Sequence, residues 1–356
     1  MSERAASPDL LAWAGRYFEK VADELRPSIA TGPVCLYLEV TNRCNLLCTT
    51  CPRTYEELEP EADMSWELFT SIVTQFECVQ RVVLHGVGEP MLVKDLPERI
   101  EFLKKRGCYV LFNTNGTLLN EAAGERLLET GLDEVRVSVD AADSTLFKMV
   151  RGRDMFDRIV RNVAQFRRRQ RELGVEAPRV SLWLTGLRET IGELEAFVRL
   201  AHQLDVHEVY LQRLVYFQES PVGLARLENS LFRQVTVDEE DCIRRAEELA
   251  QSLGVKFNAS GATEPGTSLR PRTADQPWSL CRRPWTVMYF TAHGRALPCC
   301  IAPFSSHGYE TFTLGDATRE SLREIWNGRR YMDFRNRLMS SQPPHACANC
   351  GVRWSL

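Results

Sequence analysis

No stretch of this chain approaches the roughly 18 apolar residues that a bilayer-spanning helix requires. Neither sign of charge dominates: 44 Lys and Arg stand against 48 Asp and Glu, a net charge near −4. Without a basic surplus there is no electrostatic footprint for nucleic acid or an anionic membrane. The opening MSERAASPDLLAWAGRYFEK has neither the basic start nor the unbroken apolar run of an export signal. No strand-like run is followed by Gly-x-Gly-x-x-Gly, so a dinucleotide-binding fold has no anchor. Tandem repeats are missing too. The expectation is a cytoplasmic protein with no membrane or nucleic-acid partner, whose 356 residues and 44% hydrophobic content suffice for a sizeable core.

What the chain does have is twelve cysteines. A secreted miniprotein would use them as a disulfide framework, but this chain is too long and lacks the signal. In a reducing compartment, clustered thiols bind metal or do redox chemistry.

Residues 8–26 read as an amphipathic helix, with Leu10, Leu11, Trp13, Tyr17 and Val21 at helical spacing. Apolar, β-branched runs follow at 34–40, 81–85, 108–113, 134–139, 179–185 and 207–215. Helical patterns separate them at 65–77, 94–106, 119–130, 154–174 and 190–204, with another at 236–253. Six βα units imply a parallel sheet with helices outside, either doubly wound or a partial barrel. The polar stretch 258–280, rich in Gly, Pro, Ser and Thr, reads as a linker. Beyond it, residues 281–356 carry five cysteines and one helix, roughly 318–338. The expected division is an N-terminal helix in 1–33, a barrel over 34–257, the linker, and a cluster domain over 281–356.

Just after the first strand run comes TNRCNLLCTTC, which places Cys44, Cys48 and Cys51 as C-x3-C-x2-C. Three thiolates in one loop can grip three corners of a four-iron cluster and leave one iron open for chemistry. They can also hold zinc, with Cys78 or His85 as a distant fourth ligand. Polar groups recur at strand ends: His85-Gly86-Val87-Gly88-Glu89-Pro90, Asn113-Thr114-Asn115-Gly116, and Ser138-Val139-Asp140. Alternation puts Ser138 and Asp140 on one face, and Asp140 can equally cap the next helix. All fall at the C-terminal ends of strands, the face on which βα barrels build active sites.

These motifs resemble the radical SAM superfamily over residues 34 to about 215. The resemblance implies a partial (β/α)6 TIM-type barrel in which Cys44, Cys48 and Cys51 hold a [4Fe-4S] cluster and S-adenosylmethionine chelates the open iron. Electron transfer then yields a 5′-deoxyadenosyl radical that takes a hydrogen atom from substrate. Gly86, Gly88 and Glu89 would receive the methionine amino group. Asn115 offers a further polar contact, Ser138 and Asp140 would bind the ribose, and Arg151 the carboxylate. Thr50 departs from the bulky residue usual before the third cysteine. A reducing partner such as flavodoxin or ferredoxin is implied.

The second constellation is Cys281, Cys299, Cys300, Cys347 and Cys350. Together with Trp285, Gly294, Pro298, Leu314-Gly315-Asp316 and Ile325-Trp326-Asn327 it resembles the SPASM/twitch extension of radical SAM enzymes. A full SPASM domain has about seven cysteines, so the shorter twitch type fits five. Cys281, Cys299, Cys347 and Cys350 are the expected ligands of one auxiliary [4Fe-4S] cluster, as electron acceptor or structural element. A four-thiolate zinc site is the alternative. Cys299 fits the Gly-x4-Cys element, whereas Cys300 should point elsewhere. Some radical SAM epimerases use a lone cysteine as hydrogen donor, a role open to Cys242 or Cys300. Cys35, Cys78 and Cys108 read as small buried hydrophobes.

About 33 residues precede the first strand, too few for a peptide-recognition domain, so the expected substrate is a small polar metabolite, as in natural-product or sugar chemistry. Arg188, Gln212, Arg213 and Tyr216 are placed to meet it. The other readings are a peptide maturase and a non-catalytic zinc or iron-sulfur protein.

Overall fold

The computed structural model describes residues 25–77, 79–217, 219–260, 265–270, 276–305, 308, 312–348 and 350. The helix expected over 8–26, but for its last two positions, and Cys78 lie outside the described residues.

Each apolar run becomes a strand: β1 (Cys35–Leu38), β2 (Arg81–Leu84), β3 (Tyr109–Thr114), β4 (Glu134–Ser138), β5 (Arg179–Gly186) and β6 (Glu208–Arg213). They pair in parallel in chain order. All residues of β1 and β2 are buried, as expected of parallel strands covered on both faces. The covering helices are α1 (Trp66–Val73), α2 (Leu96–Lys105), α3 (Glu121–Glu129), α4 (Ser144–Arg151), α5 (Phe156–Leu173), α6 (Leu194–Gln203) and α7 (Val237–Ser252). Their buried stripes follow the helical period: α6 turns Leu194, Phe197, Val198 and Ala201 inward. A Thr236–Glu239 capping box starts α7.

Three expectations need correction. A seventh parallel strand, β7 (Lys256–Ala259), runs into the stretch expected as linker and pairs with β6. Four residues, KFNA, carry too little apolar pattern to announce it. An eighth, β8 (Val287–Phe290), lies parallel to β1 on its other side, with Cys35 opposite Val287. It carries antiparallel β9 (Arg295–Leu297) and β10 (Gly315–Asp316) to the edge. The cysteine-rich region therefore extends the sheet itself. Finally, the single helix expected over 318–338 is two, α10 (Leu322–Trp326) and α11 (Arg329–Leu338). The break at Asn327-Gly328 frees the Asn327 amide to grip Ile29, donating to its carbonyl at 2.8 Å and accepting from its N–H at 3.1 Å.

Further bonds tie the segment before β1 to the same region. Trp285 donates to the Arg26 carbonyl, Trp326 to that of Thr31 and Arg335 to that of Pro27, each at 2.8 Å. Short helices α8 (Arg283–Thr286), α9 (Ala302–Ser305) and α12 (His345–Ala348) complete the α-helices of the described residues.

Candidate active site

The C-terminal ends of β2 to β6 surround a cavity of about 220 Å³. Cys44, Cys48 and Cys51 line it, and so do Gly86, Gly88, Glu89, Asn115, Ser138, Asp140 and Arg151. The cysteine loop, the β2, β3 and β4 ends and α4 are thereby brought together from over a hundred residues of chain.

Their contacts refine the roles expected of them. Glu89 is buried, and its carboxylate accepts from Met91 N, Thr114 Oγ1 and Asn115 N at 2.7–3.0 Å. It ties the β2 and β3 loops together. Asn115 then donates to Asn45 Oδ1 at 2.7 Å and reaches Cys44 Sγ at 3.9 Å, so β3 steers the cysteine loop. The two glycines are set by packing. A Cβ on Gly88 would meet the Thr41 carbonyl oxygen at 2.2 Å, and one on Gly86 would meet the Glu39 carboxylate at 2.3 Å. Glu39 went unnoticed in the sequence. It accepts from Val87 N, Tyr289 Oη and Ala292 N, joining β1, the β2 loop and β8, and burial pushes it up to about 7.

Asp140 lies beyond the strand that alternation assigned it to. Its φ of +65° is left-handed, a conformation Asp tolerates better than most residues. From there Oδ1 accepts Thr185 N at 2.6 Å and Oδ2 pairs with Arg151 at 2.7 Å. The cap of α4 is Asp143 instead. Arg151 also reaches Cys48 Sγ at 3.6 Å. Burial alone would lower its pKa, but Asp140 and the cysteine loop outweigh that and raise it. Its Nε is buried with no hydrogen-bond partner, an orphaned donor aimed at a group the protein does not supply. His85 is held neutral, pushed down to about 4 by burial and by Arg136.

Burial raises Cys44, and raises Cys51 to about 12. Such thiols give up their protons when a metal takes the sulfur. The open-sided loop, the glycine floor and the orphaned Arg151 donor together fit a three-thiolate cluster with a zwitterionic cofactor beside it.

The adjacent thiols of the second constellation part company. Cys299 joins Cys281, Cys347 and Cys350 around a small apolar cavity walled by Trp278, Phe312 and Phe334. Cys300 faces the central cavity with Ile301 and Phe304. Among the described residues, no three Cys, His, Asp or Glu side chains converge closely enough for a single metal ion. Cys242 sits on α7, beside Arg245 at 3.4 Å and away from the cavity. Gln212 and Arg213 line the cavity. Arg188 is spent on Glu239 and the Gln234 carbonyl, and Tyr216 packs against a small apolar cluster with Val150 and Leu187.

Residues 38–201 match the family model of the radical SAM superfamily, and residues 281–351 that of SPASM, an iron-sulfur cluster-binding domain. The chain belongs to the radical SAM superfamily. A radical SAM core binds a [4Fe-4S] cluster and S-adenosylmethionine, a SPASM domain binds auxiliary iron-sulfur clusters, and the chemistry needs a reductant.

Among relatives, the chain is 24% identical to a tungsten-containing aldehyde ferredoxin oxidoreductase cofactor-modifying protein of Pyrococcus furiosus, over 89% of this chain and 87% of that one. It is 28% identical to an Fe-coproporphyrin III synthase of Methanosarcina barkeri over 50% of this chain and 43% of that one. It is 30% identical to a probable GTP 3′,8-cyclase of Saccharolobus solfataricus over 62% and 66%. It thus spans less than two thirds of the latter two. Among solved folds, Streptococcus suis SuiB bound to S-adenosylmethionine superposes with a TM-score of 0.67 at 16% identity, covering 98% of this chain and 84% of SuiB. The enzyme anSMEcpe with bound AdoMet and Cp18Cys peptide gives 0.64 at 15%, covering 90% and 88%. Within this radical SAM protein, no described helix is long and apolar enough to cross a membrane.

Proposed function

We propose that this radical SAM enzyme removes a hydrogen atom from a small polar metabolite in an oxidoreductase, epimerase or related reaction. When bound, the first cluster supplies the electron that splits S-adenosylmethionine into methionine and a 5′-deoxyadenosyl radical. Cys44, Cys48 and Cys51 would hold that cluster, and Arg151 Nε would meet the cofactor's carboxylate. Ser138 would take a ribose hydroxyl, while Gly86, Gly88, Glu89, Asn115 and Asp140 shape the seat. Cys281, Cys299, Cys347 and Cys350 would hold one auxiliary cluster in the unit over 281–356.

One observation carries the substrate class: the three-cysteine loop shares a cavity of about 220 Å³ with polar strand ends and the 300–304 segment. Its lining brings His85, Glu89, Asp140, Arg151, Gln212 and Arg213 together, polar and charged groups suited to a polar ligand. The named activity of the relative spanning 87% of its own length, modification of a cofactor, points the same way. A peptide-modifying reading has the SuiB and anSMEcpe folds behind it, both solved with a peptide bound.

Anaerobic reconstitution followed by an iron count and assay of 5′-deoxyadenosine tests the chemistry. About eight irons are expected, as two four-iron clusters require, with cleavage abolished when Cys44, Cys48 and Cys51 are all alanine. A panel of phosphorylated sugars, nucleotides and cofactor precursors should accelerate cleavage where short peptides do not. Acceleration by peptides alone would replace the proposal with the second reading.

A further inference from the structure

Arg213 ends β6 and lines the central cavity, and its residue surface is 7% exposed. Its Nη1 donates to the Cys350 carbonyl at 3.0 Å and its Nη2 to the Ser268 carbonyl at 2.8 Å. The guanidinium lies 3.4 Å from the centre of the Phe232 ring, and Nε is buried without a hydrogen-bond partner. Among the described residues no carboxylate forms an ion pair with it, and the charged groups that act on it most are Cys350, Tyr210 and, with like sign, Arg233. A cation taken out of water without a carboxylate is destabilising unless some other anion faces it.

The other side of the auxiliary cavity has the same character. Arg283, from α8, stands beside Cys300, Cys299 and Cys281. The charged groups acting most strongly on Cys281, Cys299 and Cys347 are arginines and neighbouring thiols. An iron-sulfur cluster with four thiolates is an anion, and nearby positive charge favours adding an electron to it.

We propose that Arg213 is the counter-charge of the auxiliary cluster, a positioning residue that raises the cluster's reduction potential and fits it to accept an electron from the substrate. The inference rests on the auxiliary cluster of the reading above and, of its two expected roles, electron acceptor and structural element, takes the first. A substrate that has lost a hydrogen atom then gives up one electron toward the auxiliary site and one proton to water. The electron leaves through the one-electron carrier protein that serves the enzyme.

The test is a redox titration read by electron paramagnetic resonance. It uses the full chain with Cys44, Cys48 and Cys51 replaced by alanine, so that only the auxiliary signal remains. Arg213→Gln should shift the midpoint potential to more negative values, whereas Arg213→Lys should hold it near that of the parent. Should Arg213→Gln shed its iron, Ser268→Asp leaves the arginine in place and sets a carboxylate beside it; the shift should again be negative. An unmoved potential with four irons still bound overturns the role of Arg213. Absence of iron from the parent itself would overturn the auxiliary-cluster reading beneath it, so the two failures are distinguishable.

Discussion

Glu39 is a buried carboxyl whose ionisation the fold resists, and the consequence is a stability that falls as pH rises. Burial pushes it from 4.5 to about 7 although Val87 N, Tyr289 Oη and Ala292 N all donate to it. Below about pH 4.5 the group is protonated in both folded and unfolded chains, and its contribution is fully present. Between 4.5 and about 7 the unfolded chain releases the proton while the folded chain keeps it. The folded state then binds more protons, so stability drops with pH. At 1.36 kcal/mol for each factor of ten in proton affinity, the gap is worth roughly 3 kcal/mol, lost by about pH 7.5. Glu39→Gln keeps the size of the side chain and removes the titration. Urea unfolding of both proteins at several pH values between 4 and 8 measures it. The stability of Glu39→Gln relative to the parent should rise across that range by a few kcal/mol. Parallel pH profiles would refute the reasoning.

The parting of the adjacent cysteines predicts that Cys299→Ala loses about four irons on reconstitution, while Cys300→Ala keeps the full count. Asp140→Asn leaves Arg151 charged, buried and without its carboxylate, so the midpoint of chemical denaturation should fall by an amount equivalent to about 3–5 kcal/mol. Binding of S-adenosylmethionine, measured by calorimetry on the reconstituted enzyme, should weaken with it. Gly88→Ala drives a methyl into the Thr41 carbonyl at 2.2 Å. The cysteine loop must shift, at about 1–3 kcal/mol or more of stability, and iron uptake at the first site should fall.

The six central strands were legible because their runs are rich in β-branched and apolar residues, continuous in RVVL and alternating in EVRVS. The three-cysteine loop was legible because its spacing is local. What could not be read was whatever depends on chain far away. β8 pairs with β1 across some 250 residues, and neither VMYF nor its flanks specify that neighbour. The pairing of Asp140 with Arg151 was equally hidden. Each was read as a separate contact for the cofactor, and only the left-handed turn at Asp140 brings its carboxylate to the guanidinium. Gly86 and Gly88 were read as places where the backbone approaches a ligand, and the structure adds that a Cβ there would collide with Glu39 and the Thr41 backbone.

The pairing of β8 with β1 is also what attaches the second cysteine constellation to the sheet that carries the first. Had the C-terminal region been a separate appendage, the Cys299-Cys300 pair would face only its own cavity. Because β8 and β9 continue the sheet, the chain leaving β9 contributes to both cavities, Cys299 to one and Cys300 to the other. Cys299 lies with Cys281, Cys347 and Cys350, and its neighbour lines the central cavity with Cys44 and Cys48. Glu39 anchors that arrangement, since it bonds Tyr289 and Ala292 on the β8 side and Val87 on the β2 side. Ionising it therefore loads strain onto the joint between the barrel and its extension. The pH dependence argued above and the geometry that brings the auxiliary thiols near the active site thus have one structural origin.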